Sequence, residues 1–391
     1  MAPNILLESF RVTGTTLKEF KKAANDFDDA TTLLPLNFTD AYVYSFLMAN
    51  KGSVKYNVFS SGSNFNISNS GAIVVGKTAN VKMDYIQQFY PYFFDEITHE
   101  NKTVFRLHVG EEEKFFFFGE TFFKTFSAQT SCIGGSFLKE HSIERDIALA
   151  RIFEQELKLN ALVRTTGKIS KIFGVFSDKF YRVPLANIAK CVDYFKEAEV
   201  KFWEINQKET QIYMEFPQLV SEYENPVIVP GIRIVTSDTG YSQTDIDLCF
   251  RNMNGKAENY HRVKKISYKH NKEISVEEII AEIETALNEQ RILVDRFLKY
   301  RESLTKVPVK GVNAYKRTIN ELLSIGEFKG KMGVKTQKIV IEFLTRNTRN
   351  EVEKAQILDR IIGLSDTNNG ITDYQKEKFR EVLGNIIKNV A

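Results

Sequence analysis

Residues 114–118 read Lys-Phe-Phe-Phe-Phe, and no other stretch limits the fold so sharply. A strand of four phenylalanines at an open sheet edge would pair with other chains. The run therefore predicts a strand that is buried on both faces or covered by a helix. Its neighbours complete a hairpin, with Thr103–Val109 outgoing, Gly110-Glu111-Glu112 turning and Lys114–Phe118 returning. The chain holds 31 Phe against one Trp, so its core should be built largely of Phe.

Hydrophobic periodicity divides the rest. Residues 1–80 are mixed and polar and read as short strands and loops, and 82–97 as a helix interrupted near Pro91. Ile143, Ile147, Ala150, Phe153 and Leu157 form a helical stripe over 142–159. Leu162–Thr165 and Lys168–Phe176 read as strands joined at Thr166-Gly167, and a helix is expected from Pro184, with Leu185, Ile188, Ala189, Val192 and Phe195 inward. Around Tyr213, Ile212, Met214 and Phe216 alternate with Gln211, Tyr213 and Glu215 as a half-buried strand does. Ser275-Val276-Glu277-Glu278 is a capping box opening a helix to about Glu302. Further helices are expected over roughly 312–324, 335–346, 351–363 and 372–389.

The fold class is therefore α+β: antiparallel strands packed with helices, then a helical C-terminal region. At 391 residues the chain exceeds the usual size of one domain. The expected divisions are a β-rich region 1–140, a central α+β region 141–305 and a basic helical region 306–391. The last carries sixteen Lys+Arg against ten Asp+Glu, although the whole chain is only +3.

Several chemistries are excluded. Neither GxxxxGK[ST] nor GxGxxG nor GxSxG occurs. Cys132, Cys191 and Cys249 are far apart, with no CxxC pair, which suits a reducing compartment. No resident metal or cofactor is expected. His261 and His270 are read as surface residues of a basic loop, and Cys191 and Cys249 as core. Asp238, Asp245 and Asp247 would need more oxygen ligands to hold a cation. Gly330–Gln337 is a basic glycine loop whose Lys331 and Lys335 could approach a phosphate, though such loops are more often solvated. No run reaches the ~18–20 apolar residues of a membrane span, and the N-terminus lacks the pattern of a secretory signal.

The positive signal is basic residues interleaved with aromatic ones. Residues 164–182 supply Arg164, Lys168, Lys171, Lys179 and Arg182 beside Tyr181, and residues 251–272 supply Arg251, Arg262, Lys264 and Lys265 beside Tyr260. Cations neutralise phosphates and exposed rings stack on unpaired bases. Between these segments lies Ser237-Asp238-Thr239-Gly240-Tyr241, either a hairpin turn or a ligand-binding loop, with Tyr241 as a further ring.

Leu162, Arg164, Thr165, Ser177, Asp178 and Tyr181, then Gly231, Ser237, Thr239, Gly240 and Tyr241, then Arg251, Asn254 and Gly255 make this region similar to the phage- and plasmid-borne domain-of-unknown-function family 932. The likeness spans about 162–300, roughly a third of the chain. It departs from the family where a cysteine usually precedes Asn-Gly. The resemblance implies a mobile-element origin, that of a bacteriophage, and no particular reaction.

The expected function is that of a phage-encoded nucleic-acid-binding protein in the host cytoplasm, binding or annealing single-stranded DNA as a homo-oligomer in recombination, without covalent chemistry. The alternative is a structural, self-assembling phage protein, to which the Phe run and modest charge are also suited.

Overall fold

A computed structural model of the chain describes residues 5–7, 9–48, 53–60, 66–67, 73–74, 78–82, 102–109, 112–119, 121–130, 145, 148–149, 152, 157–167, 169–255, 260–345, 351–366 and 373–390. The fold is α+β, with two large sheets that are mostly antiparallel and a group of C-terminal helices.

The Phe run forms β8 (Glu112–Phe118) in the interior of a sheet. It lies between β7 (Lys102–Val109), antiparallel to it, and β10 (Ile169–Ser177), parallel to it. β10 pairs with β9 (Leu159–Thr166), and β9 pairs with the first part of the long β2 (Thr31–Met48). The later part of β2 pairs with β7. The sheet thus closes on itself through β2, β7, β8, β10 and β9. A circuit from Thr31 through Arg164, Lys171 and Phe117 returns by the adjacent Phe116–Phe105 pair to Val43. That offset along one strand is the stagger a closed barrel requires.

Phe116, Leu159, Ala161, Val163, Ile172 and Val175 form the barrel's core. Helix α2 (Phe122–Thr130) follows β8 and adds Phe122 and Phe126 to that core. A bulge between Ile172 and Gly174 interrupts the β10 ladder, and the Val175 amide is satisfied by Thr125 Oγ1 of α2 at 3.0 Å. β3 (Ser53–Ser60) and β6 (Thr78–Lys82) extend from β2, and β4 (Asn66–Ile67) pairs with β5 (Ile73–Val74).

The second sheet runs β1 (Arg11–Gly14), β11 (Glu199–Asn206), β12 (Thr210–Glu215), β13 (Ile228–Thr236), β14 (Thr244–Asn252) and β15 (Tyr260–Tyr268), all antiparallel. Ile212, Met214, Ile232, Ile234, Ile246 and Leu248 pack on α1 (Leu17–Asp29), α3 (Leu185–Tyr194) and the first half of α4 (Val276–Leu304). On the opposite face, Glu215, Arg233, Asp245 and Asp247 are charge-paired. The Ser275 capping box starts α4, and Gln290 in its middle donates to the carbonyls of Gly231 and Cys249 at 2.8 and 2.7 Å.

The second half of α4 enters a separate core with α5 (Val312–Ile325), α6 (Phe328–Thr345, broken at Gly333), α7 (Lys354–Ile362) and α8 (Asp373–Val390). β16 (Pro308–Val309) and β17 (Val352–Glu353) staple the entry to this group. Helix α8 lies against β15, so closely that a Cβ on Gly384 would sit 2.3 Å from the Arg262 carbonyl oxygen.

Several expectations change. Residues 1–80 were expected to be strands and loops, but 17–29 form α1, capped by Thr16 and burying Phe20, Ala24 and Phe27. A boundary at 140 does not separate the sheets, because β1 belongs to one and β2 to the other. The basic segment from Tyr260 is a strand rather than a loop. His261 is fully buried instead of lying on the surface. The helix expected at 82–97 and Cys132 fall outside the described residues, apart from Lys82, which ends β6.

Candidate nucleic-acid interface

The Ser237–Gly240 stretch resolves into a braced hairpin turn between β13 and β14. Ser237 donates to the Lys208 carbonyl at 2.5 Å and accepts from the Tyr241 amide at 3.1 Å. Gly240 takes φ +69° beside the Phe176 ring, a conformation and a space that suit glycine. Asp238 turns inward to the barrel. Its carboxylate meets Arg164 at 2.7 Å and Arg182 at 3.4 Å. Arg182 also bonds Asp28 of α1, and Asp28 accepts from the amides of Leu185 and Ala186 at 3.1 and 2.8 Å. Pro184, at the N-cap of α3, makes no side-chain cap bond, so Asp28 caps that helix from a distant part of the chain.

This network changes the reading of several expected contacts. Arg164 has no exposed side-chain surface; it lies between the rings of Phe27 and Phe173 and also bonds Gln207. It is a strut, not a phosphate ligand, because α1 and the turn close over it. Arg182 is likewise committed. Arg251 is mostly buried, gripping Glu215 through two nitrogens and the carbonyls of Asn252, Met253 and Gly255 through Nη1. Lys171 is 6% exposed. Tyr260 is half-buried and stacked on Tyr213 with centroids 5.3 Å apart, and the Arg233 guanidinium lies over the Tyr260 ring at 5.2 Å. Arg262 and Lys265 lie at 3.9 and 2.7 Å from Asp247 and Asp245, and Lys264 meets Glu289 at 2.5 Å. Lys168 lies outside the described residues. The eleven expected residues that are described therefore do not form one open basic groove.

Three of them do share an exposed neighbourhood. The loop carrying Lys179 and Tyr181 is tied to the loop after β15: the Tyr181 amide donates to the His270 carbonyl at 2.9 Å, and the His270 ring Nδ1 lies 3.0 Å from the Tyr181 carbonyl. Phe180 stacks between Phe176 and His270. Phe176 in turn touches Gly240, so the turn bearing Tyr241 adjoins the same stack. Tyr181 and Tyr241 are 45% and 53% exposed. Lys124 of α2 lies over the Tyr241 ring at 5.3 Å, and Lys179, Lys269 and Lys272 are exposed around the junction. Sequence spacing did not reveal Lys124, which joins the group only through the barrel's contact with the turn.

Burial lowers the His270 pKa, against the Tyr181 carbonyl and the charges of Asp238 and Asp245. Asp247 is pushed up by burial, opposed by Arg262, Arg233 and Lys265. Among the described residues no three His, Cys, Asp or Glu side chains gather as metal ligands. Asp238, Asp245 and Asp247 do not converge on a common point for a cation; each is held by its own cationic partner. No helix among the described residues is long and apolar enough to cross a membrane. No family model, curated protein or solved structure matches the chain.

Proposed function

We propose that the chain binds single-stranded nucleic acid without covalent chemistry, as a phage-encoded strand-binding or annealing factor acting in the host cytoplasm. The observation that carries this reading is the barrel: five strands closed by a long first strand that pairs at both ends, with a helix between the third and fourth. We infer from this connectivity a barrel of the oligonucleotide/oligosaccharide-binding type, an architecture that serves single strands widely. The exposed rings of Tyr181 and Tyr241 beside Lys124, Lys179, Lys269 and Lys272 supply what strand binding needs: π faces for any base and cations for the backbone. The resemblance to family 932 supports the mobile-element setting.

The test is fluorescence anisotropy of a labelled oligo-dT with the full chain at increasing salt. Binding should weaken linearly on a log–log plot. Tyr181→Ala and Tyr241→Ala should each lower affinity about 5- to 150-fold, the equivalent of ~1–3 kcal/mol per stacked base. Absence of binding at low salt, or indifference to both substitutions, rejects the reading. Sizing chromatography of the same samples reports whether the binding species is an oligomer.

A further inference from the structure

Helix α5 presents a second surface of different chemistry. Its inward face, Tyr315, Thr318, Ile319, Leu322 and Leu323, is buried in the C-terminal core. Asn313, Lys316, Arg317 and Asn320 recur at intervals of three and four on the opposite, exposed stripe. That stripe carries no carboxylate. Glu321, at its border, is drawn to Lys354 of α7 at 2.7 Å. Gln337 of α6 donates to Asn320 at 2.9 Å, which fixes the two helices' outer residues together, and Lys338 beside it is exposed.

The platform is rigid. α5 and α6 are joined by Gly326 and Glu327 alone, and a Cβ on Gly326 would sit 2.6 Å from the Val382 carbonyl oxygen of α8. At its other end α5 starts at Gly311 without a side-chain cap, and Lys306 and Lys310, which precede it in the chain, are exposed. Lys310 forms an exposed pair with Glu351 at 3.0 Å.

We propose that α5, with the adjoining part of α6, is a docking surface for double-stranded nucleic acid. Charge complementarity names a polyanion, and two features select a duplex. First, the exposed large apolar residues of this region are Val307, Val312, Val334 and Ile339, so among the described residues it offers no exposed ring for unpaired bases. Second, the exposed face belongs to a helix, whose overall width of about 10–12 Å matches a major groove about 12 Å wide. Arg, Lys, Asn and Gln are the side chains that bond phosphates and purine edges there. The proposal extends the single-strand reading without depending on it. Together they describe a chain holding a strand at the barrel and a duplex at the helices, as strand pairing beside a duplex end requires.

The experiment uses the full-length chain and two separate labelled probes, a blunt DNA duplex of about two helical turns and an oligo-dT. The double variant Lys316→Glu/Arg317→Glu alters exposed positions only. Duplex affinity should fall at least about tenfold, and the slope of its salt dependence by about two, one for each lost phosphate contact. Oligo-dT affinity should stay within about twofold on this platform. Lys316→Gln/Arg317→Gln should give an intermediate loss, and unchanged circular dichroism and Tm exclude misfolding. Failure of wild-type protein to retain duplex, an unchanged duplex affinity in the variant, or an equal loss on both probes overturns the proposal. Loss of oligo-dT binding by wild type with duplex retained counts against the barrel reading alone.

Discussion

Arg164 of the barrel and Asp238 of the six-stranded sheet's turn form an ion pair of 2.7 Å, the arginine fully buried and the aspartate nearly so. The pair ties the two sheets together, and the guanidinium has aromatic rings at 4.4 and 4.5 Å. Removing the Asp238 carboxylate takes a counter-ion from a guanidinium that has no exposed side-chain surface.

Asp238→Asn should therefore destabilise the chain by roughly 3–5 kcal/mol, the usual cost of breaking a buried pair. Urea titration followed by circular dichroism measures it. Adding Arg164→Met to Asp238→Asn should recover much of the loss, since an apolar side chain suits the space between Phe27 and Phe173. A single variant as stable as wild type would mean that the pair is solvated.

His261 gives the chain an acid-sensitive seam. It is fully buried on β15 under α8, neither ring nitrogen has a hydrogen-bond partner among the described residues, and burial, helped by Arg380, lowers its pKa to about 3. The unfolded chain binds a proton near pH 6.5 and the folded chain does not, so stability is full above that pH and falls as the pH drops towards 3. At pH 5 the loss from this group is about 2 kcal/mol. His270, also lowered by burial, adds in the same direction. Urea midpoints at pH 7 and pH 5 should show the loss, and His261→Phe should flatten much of the slope. An equal slope in that variant refutes the assignment.

How much of this was legible depends on the distance over which each feature is decided. The α3 stripe and the Ser275 cap are local, and both were readable. Phe20, Ala24 and Phe27 repeat at helical spacing behind Thr16 and signal α1, but the many polar residues around them obscured it. Barrel closure is set by pairing Thr31 with Arg164, and no local pattern announces such a contact. Part of the expected basic surface is buried for the same reason. Arginine beside aromatics reads as an open binding face, yet in Arg164 the aromatics are the walls of a burial site. The distant Asp238 makes that burial tolerable.

Lys179 is exposed beside Tyr181, so its contribution to strand binding should be electrostatic. Lys179→Ala should reduce the salt slope of oligo-dT binding by about 0.7, the single-strand value for one phosphate contact, and weaken binding similarly for all sequences. Anisotropy titrations at several salt concentrations measure the slope. An unchanged slope places Lys179 away from the bound strand.

Gly384 tests whether α8 must lie as close to the sheet as it does. Alanine is the better helix former by about 1 kcal/mol, so in an open helix Gly384→Ala would stabilise. Here the added methyl would meet the Arg262 carbonyl, a backbone atom of β15 that cannot rotate away. Accommodation requires α8 to shift outward, which loosens the packing over His261. Overpacking of this kind costs roughly 1–3 kcal/mol, outweighing the propensity gain. Gly384→Ala should therefore lower Tm and speed hydrogen exchange in β15 and α8 before the barrel strands are affected. A raised Tm would show that the helix and the strand have room to part.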